Sequence, residues 1–114
     1  MRALLLLLLS AYPALGEECF GILVPPPMYD HAFEGKQLTL YNIPLAEIQT
    51  RCAEVLHQGH LDACAFWNAD RSVCTIYMRD DPIIDDARAM LMRHEVAHCN
   101  GWPSTHALYS RRDE

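Results

Sequence analysis

After Leu9 the chain has no apolar run long enough to cross a bilayer, no Asn-x-Ser/Thr sequon, and no cysteine pair at the C-x2–4-C spacing of a zinc finger. Positive charge is also scarce: Lys+Arg total 9 against Asp+Glu 15, for a formal net charge of −6. The basic residues do not cluster beyond Arg111 and Arg112. These absences argue against a phosphate-backbone partner, so nucleic-acid binding is excluded from the reading. No internal repeat, low-complexity tract or interdomain linker appears, and 114 residues allow one domain at most. A single core of that size is thin, and a disulfide or a metal often supplements it. The five cysteines and six histidines are therefore the residues to explain.

Met1-Arg2, the apolar run Ala3 to Leu9, and the small-residue stretch ending Ala14-Leu15-Gly16 form the three parts of a secretory signal peptide. Cleavage is expected after Gly16, leaving residues 17–114 as the mature domain. Ser10, Tyr12 and Pro13 interrupt the run too early for a stable membrane anchor. Cys19 stands three residues past Gly16, which does not fit a lipoprotein. A secreted or periplasmic location follows, and an oxidising compartment turns cysteines into disulfides. Five cysteines allow at most two bridges, and sequence alone leaves 15 arrangements open, counted as five choices of free cysteine times three pairings. We favour Cys52–Cys64 and Cys74–Cys99.

The pattern along the chain predicts an α+β domain, a small antiparallel sheet with one prominent helix. Phe20 to Val24 reads as a strand or extended segment stopped by Pro25-Pro26-Pro27. Gln37 to Tyr41 alternates as a half-buried strand. Leu45, Ile48, Cys52, Val55 and Leu56 recur at helical spacing, with Glu47, Gln49, Arg51 and Glu54 expected to face away, and that helix should end near His57-Gln58-Gly59. Ala63–Trp67 and Val73–Met78, joined by Asn68 to Ser72, predict an antiparallel hairpin. Asp85 or Asp86 can cap a last helix. Asn100-Gly101 should end it near Cys99, and Pro103 forbids its continuation. On this helix Ala89, Met92, Val96 and Cys99 form one apolar stripe, with Ala87, Met90 and Leu91 forming another.

That last helix carries His94-Glu95-Val96-Ala97-His98, an H-E-x-x-H sequence. Two histidines four apart lie about 40° apart around a helix and about 6 Å apart along it, so both imidazoles can reach one cation. Glu95 projects to the side, where it can take a proton from an activated water instead of ligating the metal. The plain alternative is a chance spacing on an exposed helix face. The apolar stripes oppose it, because two histidines in a buried setting each need a partner and a shared metal satisfies both. A catalytic zinc needs a third protein ligand. His106 is the candidate, eight residues past His98 and beyond the turn that Gly101 allows. His57 and His60 fall in a polar loop, Asp113 and Glu114 at the terminus, and Cys99 points about 100° away from His98.

With these residues in place, the sequence resembles the zincin metallopeptidases. His94 through Gly101 matches the opening of the metzincin signature. The match departs at Ser104, where that signature has its third histidine, and no Met-turn follows. Arg93 through His106 is more similar to small exported bacterial proteins with an HExxHCNGWPxxH-type tail. The resemblance implies Zn2+ on His94 and His98, Glu95 as general base, and a peptide or protein substrate. His106 joins by position rather than by motif. It also implies that the strand preceding the active helix, here Val73 to Met78, offers its edge to an extended substrate. Trp102, Tyr77 and Tyr109 are candidates to line a cleft.

Three readings stand at this stage. The first is a zinc metallopeptidase hydrolysing peptide bonds through zinc-activated water. The second is an exported module whose zinc is structural and supports no turnover. The third is a disulfide-stapled interaction module without metal.

Overall fold

Val73–Arg79 (β3) is the central strand of a three-stranded sheet in the order β1-β3-β2, where β1 is Gln37–Ile43 and β2 is Ala63–Trp67. The computed structural model describes residues 22–55 and 61–107. The proposed leader, Cys19, His57, His60, Tyr109, Asp113 and Glu114 lie outside the described residues. Helix α1 spans Leu45–Arg51, and helix α2 spans Arg88–Cys99. The α+β class expected from the pattern is the class observed.

The β2–β3 hairpin forms as predicted, with Ala65 opposite Ile76 and Trp67 opposite Cys74. Its link is held by side chains. Asn68 Oδ1 accepts from the Val73 amide at 3.0 Å, and Asp70 Oδ1 accepts from the Ser72 amide at 3.0 Å, an Asx-type turn that lets Arg71 adopt φ 59°. The sheet is nevertheless mixed. β1 runs parallel to β3, in register from Gln37↔Val73 to Ile43↔Arg79. A parallel partner needs a long crossover, here the chain from α1 through β2, and alternation in a single strand does not encode that choice. One expectation fails with it. β3 is paired on both sides, so its edge is not free for a substrate.

Strand alternation sends neighbouring side chains to opposite faces, and both faces are covered. Ala65, Cys74 and Ile76 pack with Cys99, Met92 and Val96 of α2, while Ala63 and Met78 pack with Leu91, Ile84 and Ile22. On the other face Cys64, Phe66 and Tyr77 meet Ile48 and Cys52 of the α1 region. Tyr77 stacks on Tyr41 there, 5.5 Å between centroids, on the face of the sheet opposite α2. It therefore does not line a cleft at the histidines.

Each face also has its own covalent tie. Cys52–Cys64 joins α1 to β2, and Cys74–Cys99 joins β3 to the end of α2. These are the two favoured pairings. Two disulfides fit an oxidising, non-cytoplasmic setting. No helix among the described residues is long and apolar enough to cross a membrane. The ties should differ in weight, because loop-closure entropy grows with the separation bridged, 25 residues against 12. Cys74→Ala/Cys99→Ala is expected to lower the unfolding free energy in a urea titration by about 3 kcal/mol. Cys52→Ala/Cys64→Ala should lower it by less.

Several boundaries differ from the pattern reading. α1 stops at Arg51 and tightens into a 3-10 turn over Ala53–Val55. Gln49 does not face away: its Nε2 donates to the Leu61 carbonyl at 2.8 Å, and its Oε1 accepts from the Leu61 amide. Asp85 and Asp86 lie inside a 3-10 turn, Pro82–Ala87, instead of capping α2, whose N-cap is Ala87 with no side-chain cap. Pro82 starts that turn early, and the Asp81 carboxylate before it is committed to Arg79. Arg79 is buried and bridges Asp62 and Asp81, with 2.7 Å to Asp62 Oδ1, which holds the Asp81 carboxyl below its ordinary range. Ala89 is exposed, so the first apolar stripe of α2 begins at Met92.

Candidate metal centre

α2 ends where the sequence says it should, and how it ends builds the site. The Gly101 amide donates to the His98 carbonyl at 3.1 Å and the Trp102 amide to the Ala97 carbonyl at 3.0 Å, the paired bonds of a Schellman cap. Gly101 takes φ +114°, a conformation that disfavours any residue with a Cβ. Arg71, reaching over from the hairpin and lying 4.6 Å above the Trp67 ring, adds a guanidinium bond to the same His98 carbonyl at 3.0 Å. A cation there also complements the negative end of the helix.

The reversal brings His106 back beside the helix. His94 Nε2 lies 3.0 Å from His106 Nε2, His98 Nε2 lies 3.2 Å from His106 Nε2, and the two helical Nε2 atoms are 3.3 Å apart. The far side of both helical imidazoles is engaged. His94 Nδ1 is 2.9 Å from the Leu23 carbonyl, and His98 Nδ1 is 2.8 Å from the Trp102 carbonyl. A carbonyl can only accept, so in both rings Nδ1 carries the hydrogen, and in the neutral ring Nε2 presents a lone pair. Burial favours the neutral form of both rings. It pushes His94 down to about 4 against the support of the Leu23 bond, and it lowers His98 too, with the Arg71 charge adding in the same direction.

The Nε2 lone pairs of His94 and His98, 3.3 Å apart, repel one another unless a hydrogen or a cation lies between them. The donor set fits such a cation. Imidazole nitrogens at about 2.0–2.1 Å from one tetrahedral ion stand roughly 3.3 Å apart, close to the spacing seen. An Nδ1–H on a backbone carbonyl is the usual orienting bond of a metal-ligating histidine. The three histidines thus form a cluster able to hold a metal ion.

Glu95 is buried beside it, with Oε2 4.0 Å from His94 Nε2. Burial alone pushes its carboxyl up to about 8, and a cation held by the neighbouring imidazoles would act in the opposite sense. Trp102 is fully buried against all three rings, stacked on His98 at 4.9 Å and edge-on to His94 and His106 at 5.0 Å each. It forms the wall of the site, not an open cleft.

All four residues singled out from the sequence, His94, Glu95, His98 and His106, meet in one place. The sequence reading missed the residues that orient them. Residues 22–31 wrap α2 on the histidine side, pinned by Arg93 to both oxygens of Asp30 and by Asn100 Nδ2 to the carbonyls of Tyr29 and His31 at 2.9 and 2.7 Å. That wrapping delivers the Leu23 carbonyl to His94. A backbone carbonyl leaves no mark in a residue pattern, although Arg93 and Asn100, polar residues flanking the motif, were available as a signal. Comparison of the chain with protein-family models, curated proteins and solved structures returns no match.

Proposed function

We propose that this protein is an exported zinc-dependent metallopeptidase. One observation carries the reading: three imidazole nitrogens converge within 3.3 Å while a buried carboxylate from the same helix stands 4.0 Å from one of them. His94, His98 and His106 would hold Zn2+, a metal to which an all-imidazole set is suited. Three protein ligands leave one position for substrate or water, the arrangement of catalytic rather than structural zinc sites. Zinc, when bound, supplies Lewis acidity toward the scissile carbonyl and makes water more acidic. Glu95 takes the proton of the attacking water and returns it to the leaving amine. The Leu23 and Trp102 carbonyls keep His94 and His98 in the tautomer that presents Nε2. Trp102 and the wrapping of residues 22–31 limit water at the site, which strengthens the electrostatics around Glu95.

A second reading, an exported module with a sequestered and non-catalytic zinc, draws on the low exposure of the His94 and Glu95 side chains, 12% and 7%. One experiment separates the two. The oxidised protein is stripped with a chelator, reloaded with one equivalent of zinc, and assayed against a broad peptide library. The peptidase reading expects one zinc per chain, cleavage that disappears on stripping, and recovery on reloading. Tight zinc without cleavage establishes the sequestered site, and no zinc at saturating metal overturns both.

A further inference from the structure

The third ligand has an unusual approach. His94 and His98 ride on a helix that Cys74–Cys99 and Arg71 tie to the sheet. His106 instead sits at the far end of a short loop whose residues 103–105 are exposed. Its backbone is left-handed, φ +60°, a conformation that is unfavourable for a residue with a Cβ and persists only where surrounding contacts impose it. One such contact is local, the His106 amide donating to the Pro103 carbonyl at 2.9 Å. A turn of that kind shapes the loop but does not anchor it to the helix.

Trp102 does. Its indole N–H donates to the carbonyl of Ala107 at 2.8 Å, closing the loop at the residue just after His106. Its own carbonyl receives the His98 Nδ1 hydrogen, and its ring touches all three imidazoles. The indole is buried, so its N–H needs a partner, and the Ala107 carbonyl is the one it has. One side chain therefore measures the distance between the helix and the returning strand of the loop.

We infer that Trp102 is a positioning residue that carries His106 to the metal: its indole N–H, clamped on the Ala107 carbonyl, sets the loop so that the third nitrogen arrives within 3.0–3.2 Å of the helical pair. The inference rests on the metal-centre reading but not on peptidase activity. Trp102→Phe keeps an aromatic ring and the residue 102 carbonyl while removing the clamp.

The test is a double-mutant cycle read as zinc Kd by chelator competition on the full oxidised chain. Trp102→Phe is expected to weaken zinc by about 10–100-fold when His106 is present, the scale of a lost orienting contact. In a His106→Ala background it should change Kd by less than about threefold, because no third ligand remains to be positioned. A general loosening of the core would weaken zinc by the same factor in both backgrounds, and that result overturns the inference, as does an unchanged Kd. Site-specific replacement of Trp102 by benzothienylalanine, which keeps the bicyclic shape and lacks the N–H, decides the question should the smaller Phe disturb folding. It must reproduce the Phe effect. Failure of the native chain to bind zinc at all would sink the metal-centre reading and this inference together, whereas native binding with no coupling sinks only the latter.

Discussion

Glu95→Gln is expected to reduce peptide hydrolysis by the zinc-loaded protein by about 10²–10⁴-fold, the usual contribution of a positioned general base, while leaving zinc Kd within a few-fold. The two halves of that expectation have different grounds. Glu95 Oε2 is 4.0 Å from His94 Nε2, next to the cluster but not one of its three converging nitrogens, so removing its charge should spare binding. Gln is an isostere that cannot accept a proton. Its neutral amide suits a buried position at least as well as the carboxyl does, which keeps stability out of the comparison. The measurements are kcat on a cleaved library peptide and zinc Kd by chelator competition. Equal activity of the two proteins would remove Glu95 from the chemistry, and a large loss of zinc would make it a ligand instead.

The second large effect concerns the ligand that no motif supplied. His106→Ala should weaken zinc on the order of 10³-fold, in line with losing one of three ligands that share a binding free energy of roughly 10 kcal/mol or more. His60→Ala, in the stretch the sequence reads as a polar loop, serves as the control and should leave Kd unchanged. A comparable loss from both substitutions would mean that zinc is held elsewhere or diffusely. Loss from His106→Ala alone, together with retained far-UV circular dichroism, would assign the third position. It would also exclude the metal-free interaction module as a description of this chain.

Much of this centre was legible without coordinates because its parts are local. The placement of His94 and His98 on one side follows from 3.6 residues per turn, and Gly101 marks the helix end because few other residues accept φ +114°. The hairpin was legible through its turn residues, and the helix face through Met92, Val96 and Cys99. Other features escaped because a neighbouring residue or the packing of another element decided between local patterns that composition alone leaves equal. Asp85 and Asp86 were reasonable caps by composition, but Pro82 began a 3-10 turn that absorbed them. Tyr77 was credible as a cleft residue until alternation along β3 placed it on the face opposite α2.

The edge of β3 teaches the same lesson in a sharper form. A hairpin strand has one edge committed by its turn, and the other is settled only by what else the chain supplies. Here that was β1, arriving parallel through a crossover. No residue in β1 announces that direction, since period-2 alternation is the same whichever way the strand runs.

By itself, then, the sequence determined the local chemistry of this protein: two histidines and a glutamate on one helix, a glycine that ends the helix, and cysteines whose partners it left open. Helical periodicity and backbone sterics act over a few residues, so they can be read from a few residues. Only the tertiary structure decided that His106 completes the cluster, that the carbonyls of Leu23 and Trp102 fix the tautomers of His94 and His98, and that Trp102 closes the loop behind them. These are contacts of side chains with one another and with main-chain carbonyls brought together by folding, and main-chain carbonyls are the same in every residue until the fold gives each one a neighbour.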